Sequence, residues 1–174
     1  MSPRVVLVGL PGTGKSTTGR RLAKILGVAF ADSDELVEAE AGTTVAAVFA
    51  GPGEPAFRAA EQAAIAHALE HFDGVLALGG GALGAAATRA AIAACGVVVV
   101  HLRATIDTLG ARVGDARTRP LLAGDPAVRL AELAAQRAPL YAEIATLAVD
   151  TDGRTPGQVA ATVAARLHER EVPA

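Results

Sequence analysis

The chain has no tryptophan, no asparagine, one tyrosine, one cysteine and only two lysines among its 174 residues. Each scarcity excludes something. With aromatics at 3%, no platform exists on which single-stranded bases could stack in series. The lone Cys95 permits neither an intrachain disulfide nor a four-cysteine zinc site, and its apolar neighbours suit a small buried side chain rather than a nucleophile. Sixteen Lys and Arg against 18 Asp and Glu leave a net charge of −2, which argues against a basic nucleic-acid face and a polybasic membrane anchor. Long apolar runs are missing too. The longest uncharged stretch, Gly74 to Thr88, is 15 residues interrupted by five glycines, too short and too broken to span a bilayer. The opening run Val5–Leu10 lacks the small-residue cleavage site of a secretion signal. Alanine, in contrast, is abundant at 41 residues, within an apolar fraction of 51% that can fill a core and rules out global disorder. The expectation is a single reduced, cytoplasmic domain over residues 1–174, with no nucleic-acid or membrane partner.

Short apolar runs at Arg4–Gly9, Val28–Asp32, Val75–Leu78, Val97–Leu102 and Leu147–Asp150 read as strands. Helical spacing fills the intervals: Lys15–Leu26 before Gly27, Asp34 to Gly42, Thr43–Thr44 to Phe49, Glu54–Phe72 and Ala85–Ala94. Three more are expected from Thr105 to about Val113, from Pro126 to about Ala138, and from Pro156 to about Glu169. Residues 114–125 are polar, glycine-punctuated and arginine-dense, as in a lid. Strands alternating with helices predict a parallel sheet covered on both faces.

Gly9-Leu10-Pro11-Gly12-Thr13-Gly14-Lys15-Ser16 matches G-x-x-x-x-G-K-[ST] in full, between a strand and a helix. Glycines at these positions let successive backbone N–H groups turn inward on phosphate oxygens, and the new helix adds its unpaired N–H groups and dipole. Lys15 can reach the β- and γ-phosphates, and the Ser16 hydroxyl can ligate Mg²⁺. Bound nucleoside triphosphate follows. A chain without asparagine cannot carry the N-K-x-D motif of switch GTPases, and the third strand ends in Gly79-Gly80-Gly81 rather than in the acidic residue of ATPase motors. A small-molecule kinase of the nucleoside-monophosphate-kinase architecture remains.

Asp32-Ser33-Asp34 follows the second strand, at the sheet edge where open α/β folds bind ligands. One strand over from the phosphate loop, Asp32 could hold Mg²⁺ through water and Asp34 could accept a hydroxyl proton; either could equally cap a helix. Arg58 and Glu61 lie at i, i+3, a spacing that by itself commonly gives a solvated pair. The glycines at 79–81 allow close approach of backbone to a ligand, and equally a plain turn. His67 and His71, at i, i+4, are the only histidine pair with ligand spacing.

Together these elements resemble the shikimate kinase family. The resemblance rests on GLPGTGKST, the DSD after the second strand, GEPAFRAAE, LGGGA, RPLL in the lid, RAPLY, and a late Arg154, spanning Gly9 to Arg154. It implies a three-layer phosphate-loop NTPase with a five-stranded parallel sheet in the order 2-3-1-4-5, a substrate-binding segment near 33–61 and a mobile lid near 114–125. It implies a cytoplasmic monomer that uses ATP and Mg²⁺ to phosphorylate the 3-hydroxyl of shikimate, on the chorismate route to aromatic amino acids. By the same resemblance, Gly12, Thr13, Gly14, Lys15, Ser16 and Thr17 cradle the nucleotide, while Ser16 and, through water, Asp32 hold the metal. Asp34 lies near the reacting hydroxyl; Arg58 and Arg137 hold the substrate carboxylate, with Gly80 and Gly81 helping. Arg119 covers the transferred phosphate, Arg112 flanks the adenine, and Arg154 meets the nucleotide from its far side. Lys15, Asp34 and Arg119 are the expected catalytic residues. Positive charge from Lys15, Mg²⁺ and the arginines is expected to keep Asp34 ionised. Arg117, two residues before Arg119, competes with it for the phosphate; Arg119 is preferred because it heads Arg119-Pro120-Leu121-Leu122.

Overall fold

The computed structural model describes residues 1–113 and 126–171. Its centre is β1 (Val5–Val8), four consecutive aliphatic residues with no exposed member. Alternation sends Val5 and Leu7 into one core and Val6 and Val8 into another, so this strand is buried on both faces. β3 (Gly74–Ala77) and β4 (Val98–Arg103) flank it, while β2 (Ala29–Asp32) and β5 (Leu147–Asp150) form the more exposed edges. All pairings are parallel and the order is β2-β3-β1-β4-β5, as the resemblance implied.

One face of the sheet is covered by α1 (Lys15–Leu26) and α8 (Pro156–Glu171), through Leu22, Ala23, Val159, Ala160 and Val163. The other carries α4 (Glu54–His71), α5 (Ala86–Cys95), α6 (Ile106–Val113) and α7 (Pro126–Ile144), through Ile65, Leu69, Ile92, Leu109, Leu130 and Tyr141. A third small core, Val37, Val48, Phe57 and Ala64, ties α2 (Ser33–Ala41) and α3 (Val45–Ala50) to α4. Thr44 caps α3 by accepting from the Ala47 amide at 3.2 Å.

Two features depart from expectation. α7 does not stop near Ala138 but passes through Pro139 to Ile144. A mid-helix proline removes one backbone donor and crowds the carbonyl four residues earlier; burial of Tyr141 and the packing of Leu140 and Ile144 on the core outweigh that cost. The glycine triplet also leads into a short 3-10 turn, Ala82–Gly84, before α5 begins. The expected lid at 114–125 lies outside the described residues. Among the described residues, no helix is long and apolar enough to cross a membrane.

Candidate functional site

Parallel order brings the C-terminal ends of β1, β2 and β3 to one edge, where a cleft of about 570 Å³ opens. The phosphate loop forms its floor. Gly12 and Gly14 have φ of 87° and 86°, a region closed to most L side chains, and Gly14 caps α1. Lys15 donates to the carbonyls of Gly9 and Leu10 at 2.9 and 3.1 Å, so its ammonium lies over the loop. Thr13, in contrast, turns inward: its hydroxyl donates to the Leu10 carbonyl at 2.8 Å, leaving only its backbone to face a nucleotide. Ser16 and Thr17 line the cleft.

Asp32 takes the capping role weighed for it and also reaches Ser16. One carboxylate oxygen accepts from the Asp34 amide at 3.0 Å and caps α2; the other accepts from the Ser16 hydroxyl at 2.6 Å. β3 lies between β2 and β1, as the order 2-3-1-4-5 requires, so Asp32 stands two strands from the phosphate loop rather than one strand over. The approach to Ser16 is made possible by α1, which crosses over β3. Two hard oxygens so close form a donor set suited to Mg²⁺, which takes few protein ligands and completes its shell with phosphate and water. No group of three or more His, Cys, Asp or Glu suited to a metal occurs among the described residues, and the ring-to-ring contact of His67 and His71 at 4.6 Å lacks a third ligand.

Asp34 keeps the ionised state expected of it, but by a narrower margin than its positive neighbours suggest. Its carboxyl is pushed up to about 6, because burial and the nearby Asp32 and Glu61 outweigh Lys15 and Arg58. It remains mostly ionised at pH 7, but close to the point at which it can take a proton.

The facing wall comes from α4 and the glycine triplet. Arg58 Nη1 donates to Glu61 Oε2 at 2.7 Å; Glu61 is only 2% exposed and Arg58 half-buried, so this is not the solvated pair its spacing suggests. Burial pushes the Glu61 carboxyl up, opposed by Arg58 and Arg137. Each glycine stands where a side chain from elsewhere needs room. A Cβ at Gly79 would meet Asp34 Oδ1 at 2.6 Å, at Gly80 Arg137 Nη1 at 3.0 Å, and at Gly81 Arg58 Nη2 at 2.5 Å. Arg137 therefore sits behind Gly80 rather than on the cleft wall. Arg112 borders the main cleft and, with Arg154, a smaller one of about 140 Å³ beside Gly12 and Thr17. Both have protein acceptors: Arg112 donates to the Thr151 hydroxyl and carbonyl at 2.9 and 2.8 Å, and Arg154 donates to the Asp150 and Gln158 carbonyls at 3.2 Å each. Arg117 and Arg119 lie outside the described residues.

Sequence reasoning missed Ser33, whose buried hydroxyl accepts from the Gly79 amide at 2.8 Å, and the apolar rim of Val45, Phe49 and Phe57. Ser33 carries no distinguishing signal between two aspartates. The rim reads as ordinary core until α3 is seen to fold over the cleft.

A phosphate loop facing a carboxylate and a half-buried arginine, on a five-stranded sheet of this order, defines a kinase of small molecules. The chain belongs to the shikimate kinase family, whose model matches residues 11–168. It is 50% identical over 167 residues to a shikimate kinase of Salinispora tropica, covering 96% of this chain and 99% of the relative. It is 48% identical over 168 residues to one of Mycobacterium tuberculosis, covering 96% and 94%. A shikimate kinase from Acinetobacter baumannii, solved in complex with shikimate, superposes with a TM-score of 0.92 at 31% identity, over 99% of this chain and 96% of that one.

Proposed function

We propose a division of labour within this cleft for the reaction of its family. The chain is an ATP-dependent shikimate kinase, acting on the route to the aromatic amino acids. The 3-hydroxyl receives the phosphoryl group beside Asp34, which orients it and takes its proton late, as a loose transition state requires. Lys15 leaves the loop carbonyls to meet the β- and γ-phosphates, with the backbone of Gly12, Thr13 and Gly14 and the side chain of Thr17 completing the cradle. The Ser16 hydroxyl and, through water, Asp32 hold Mg²⁺, which when bound neutralises phosphate charge. Arg58 and Arg137 clasp the substrate carboxylate near Gly80 and Gly81. Arg112 flanks the adenine, Arg154 approaches from its far side, and Arg119 covers the transferred group, an assignment carried by the sequence element it heads. Residues 33–61 form the acceptor-binding segment. The balanced charge supports the absence of nucleic-acid and polybasic membrane partners, and the family resemblance supports a cytoplasmic monomer.

The observation that carries this reading is the half-buried Asp34, with its raised pKa, in one cleft with Lys15 and Arg58. The test is ADP release with shikimate, with gluconate and without acceptor. Shikimate-dependent release is expected; equal release with gluconate, or release independent of acceptor, would refute the assignment.

Two variants probe the acceptor side. Arg58→Ala would strand Glu61 as an unpaired buried carboxylate, so Arg58→Lys is the cleaner change: it keeps the charge and loses the planar fork. Its KM for shikimate is expected to rise roughly tenfold or more, the loss of one hydrogen bond to a charged group, with KM for ATP unchanged. Equal weakening of both substrates in steady-state kinetics would make Arg58 structural. Gly81→Ala acts on the same arginine from behind. Its φ of −99° and ψ of −8° accept alanine, so the tip of Arg58 must yield rather than the backbone. Thermal melting near wild type, with a weaker KM for shikimate, is the expected pair of results.

A further inference from the structure

Three buried side-chain polar atoms among the described residues have no hydrogen-bond partner: Glu61 Oε1, Arg137 Nη1 and Tyr141 Oη. Such atoms are uncommon in folded proteins and cost stability, so each calls for an explanation. These three belong to one neighbourhood. Arg137 acts electrostatically on both Glu61 and Tyr141, and Tyr141 follows it by one turn of α7, on the same face. Burial pushes the Tyr141 hydroxyl up, while the charge of Arg137 and a side-chain hydrogen bond from it pull it down, so the two groups already lie within reach of one another though short of good hydrogen-bond geometry. The tyrosine itself cannot wander. It is 3% exposed, and its ring lies flat on His101, with centroids 4.2 Å apart and planes 25° apart. His101 in turn pairs across the ladder with Val8, the last residue of β1 before the phosphate loop. A phenylalanine would fill this space without leaving an oxygen unpaired. The hydroxyl is therefore fixed in place, beside a guanidinium whose Nη1 has no well-formed acceptor.

We propose that Tyr141 is a positioning residue for Arg137, its hydroxyl oxygen accepting the Nη1 hydrogen as the guanidinium swings from behind Gly80 onto the substrate carboxylate. The contact between them then reaches good hydrogen-bond geometry, and the opposite edge of the guanidinium is left for the ligand. This rests on the assignment of Arg137 to the carboxylate. It gives the ring stack a function: His101 is the shelf that holds the tyrosine oxygen where one rotamer of Arg137 can use it.

The test is Tyr141→Phe, assayed with shikimate and with shikimate methyl ester, beside Arg137→Ala. The phenylalanine variant is expected to melt at or above the wild-type temperature. Its KM for shikimate should rise roughly tenfold, the loss of a charge-assisted hydrogen bond, with kcat within about twofold and KM for ATP unchanged. The ester lacks the anionic carboxylate, so its affinity should not change. Arg137→Ala should show the same preference for losing the acid, more severely. If Arg137→Ala discriminates acid from ester and Tyr141→Phe does not, the positioning role is overturned while the carboxylate assignment stands. If Arg137→Ala fails to discriminate, both fall. His101→Leu removes the shelf and keeps the hydroxyl; a smaller rise in KM for shikimate alone is expected, and this variant carries the test should Tyr141→Phe fail to fold. Equal losses for acid and ester would mark the stack as merely structural.

Discussion

Asp34→Asn is expected to lower kcat by roughly 10²–10³-fold while weakening shikimate binding far less, since asparagine can still hydrogen-bond a hydroxyl but cannot receive its proton. Position and pKa both favour the proton-accepting role. The carboxylate shares a cleft with Lys15, and burial with two neighbouring acids holds its pKa at about 6, within reach of neutral pH. The wild-type kcat/KM should accordingly fall as pH drops through about 6, and the asparagine variant should lack that limb. Near-wild-type turnover at position 34 would remove the base from the mechanism. Stability offers a second readout. Asp34, raised from 3.8 to about 6, keeps a proton in the native state that the unfolded chain has lost, so stability falls as pH rises across that window. His101, lowered from 6.5 to about 4 by burial and by Arg103 and Lys15, works the other way: the unfolded chain binds its proton first, and stability rises with pH from about 4 to 6.5. The two slopes largely offset each other in the wild type, with Glu61 adding to the Asp34 side. Asp34→Asn should therefore be more stable than wild type at neutral pH, by about 2 kcal/mol after allowance for partial exposure. Its denaturation midpoint should climb between pH 4 and 6 where the wild-type curve is nearly level. A more active enzyme is thus the less stable one at this residue.

Lys15→Met is the second large effect. Phosphoryl transfer asks little covalent chemistry of the protein, so charge placed where the transition state develops it dominates the rate. Removing one preorganised donor of that kind costs about 10²–10³ in kcat. Lys15 meets the phosphates in both ground and transition states, so nucleotide affinity should fall as well, as read by calorimetry with ATP. The fold should survive: the Lys15 ammonium bonds to two carbonyls of its own loop, Gly9 and Leu10, and the loop curvature is carried by glycine dihedrals instead. Turnover like wild type with an unchanged circular dichroism spectrum would refute the assignment of the loop.

The sequence disclosed most where chemistry and backbone shape coincide. The phosphate loop is legible because its glycines are required by φ and its lysine by charge; the alternating strands and the position of Asp32 and Asp34 follow from equally local rules. Less local facts were not legible. That Glu61 is buried depends on α4 turning its inner face toward the triplet, and that Asp34 is raised rather than lowered depends on summing four charges whose distances only the fold supplies. The helix expected to end near Ala138 runs on through Pro139 for a related reason, since core packing of the residues after it outweighs the cost of a proline in a helix. Phe49 and Phe57, centroids 4.8 Å apart, look like any core aromatics until the cleft beside them is visible.

The glycine triplet has a genetic consequence. Gly79, Gly80 and Gly81 each leave empty a place that a charged side chain from a different element approaches: Asp34 and Glu61 for the first, Arg137 for the second, Arg58 for the third. The alleles at these positions are therefore not independent. A methyl group at 81 will be harmful only while an arginine stands at 58, and a suppressor screen on such a mutant should return changes on α4 and α7 before changes in the triplet's own strand. Recombination with a distant relative that exchanged the triplet without its partners would break acceptor binding in a hybrid whose parents both work. A change at any of residues 34, 58, 61, 79–81 and 137 is thus expected to be felt by the others, although they are scattered across more than a hundred positions of the chain.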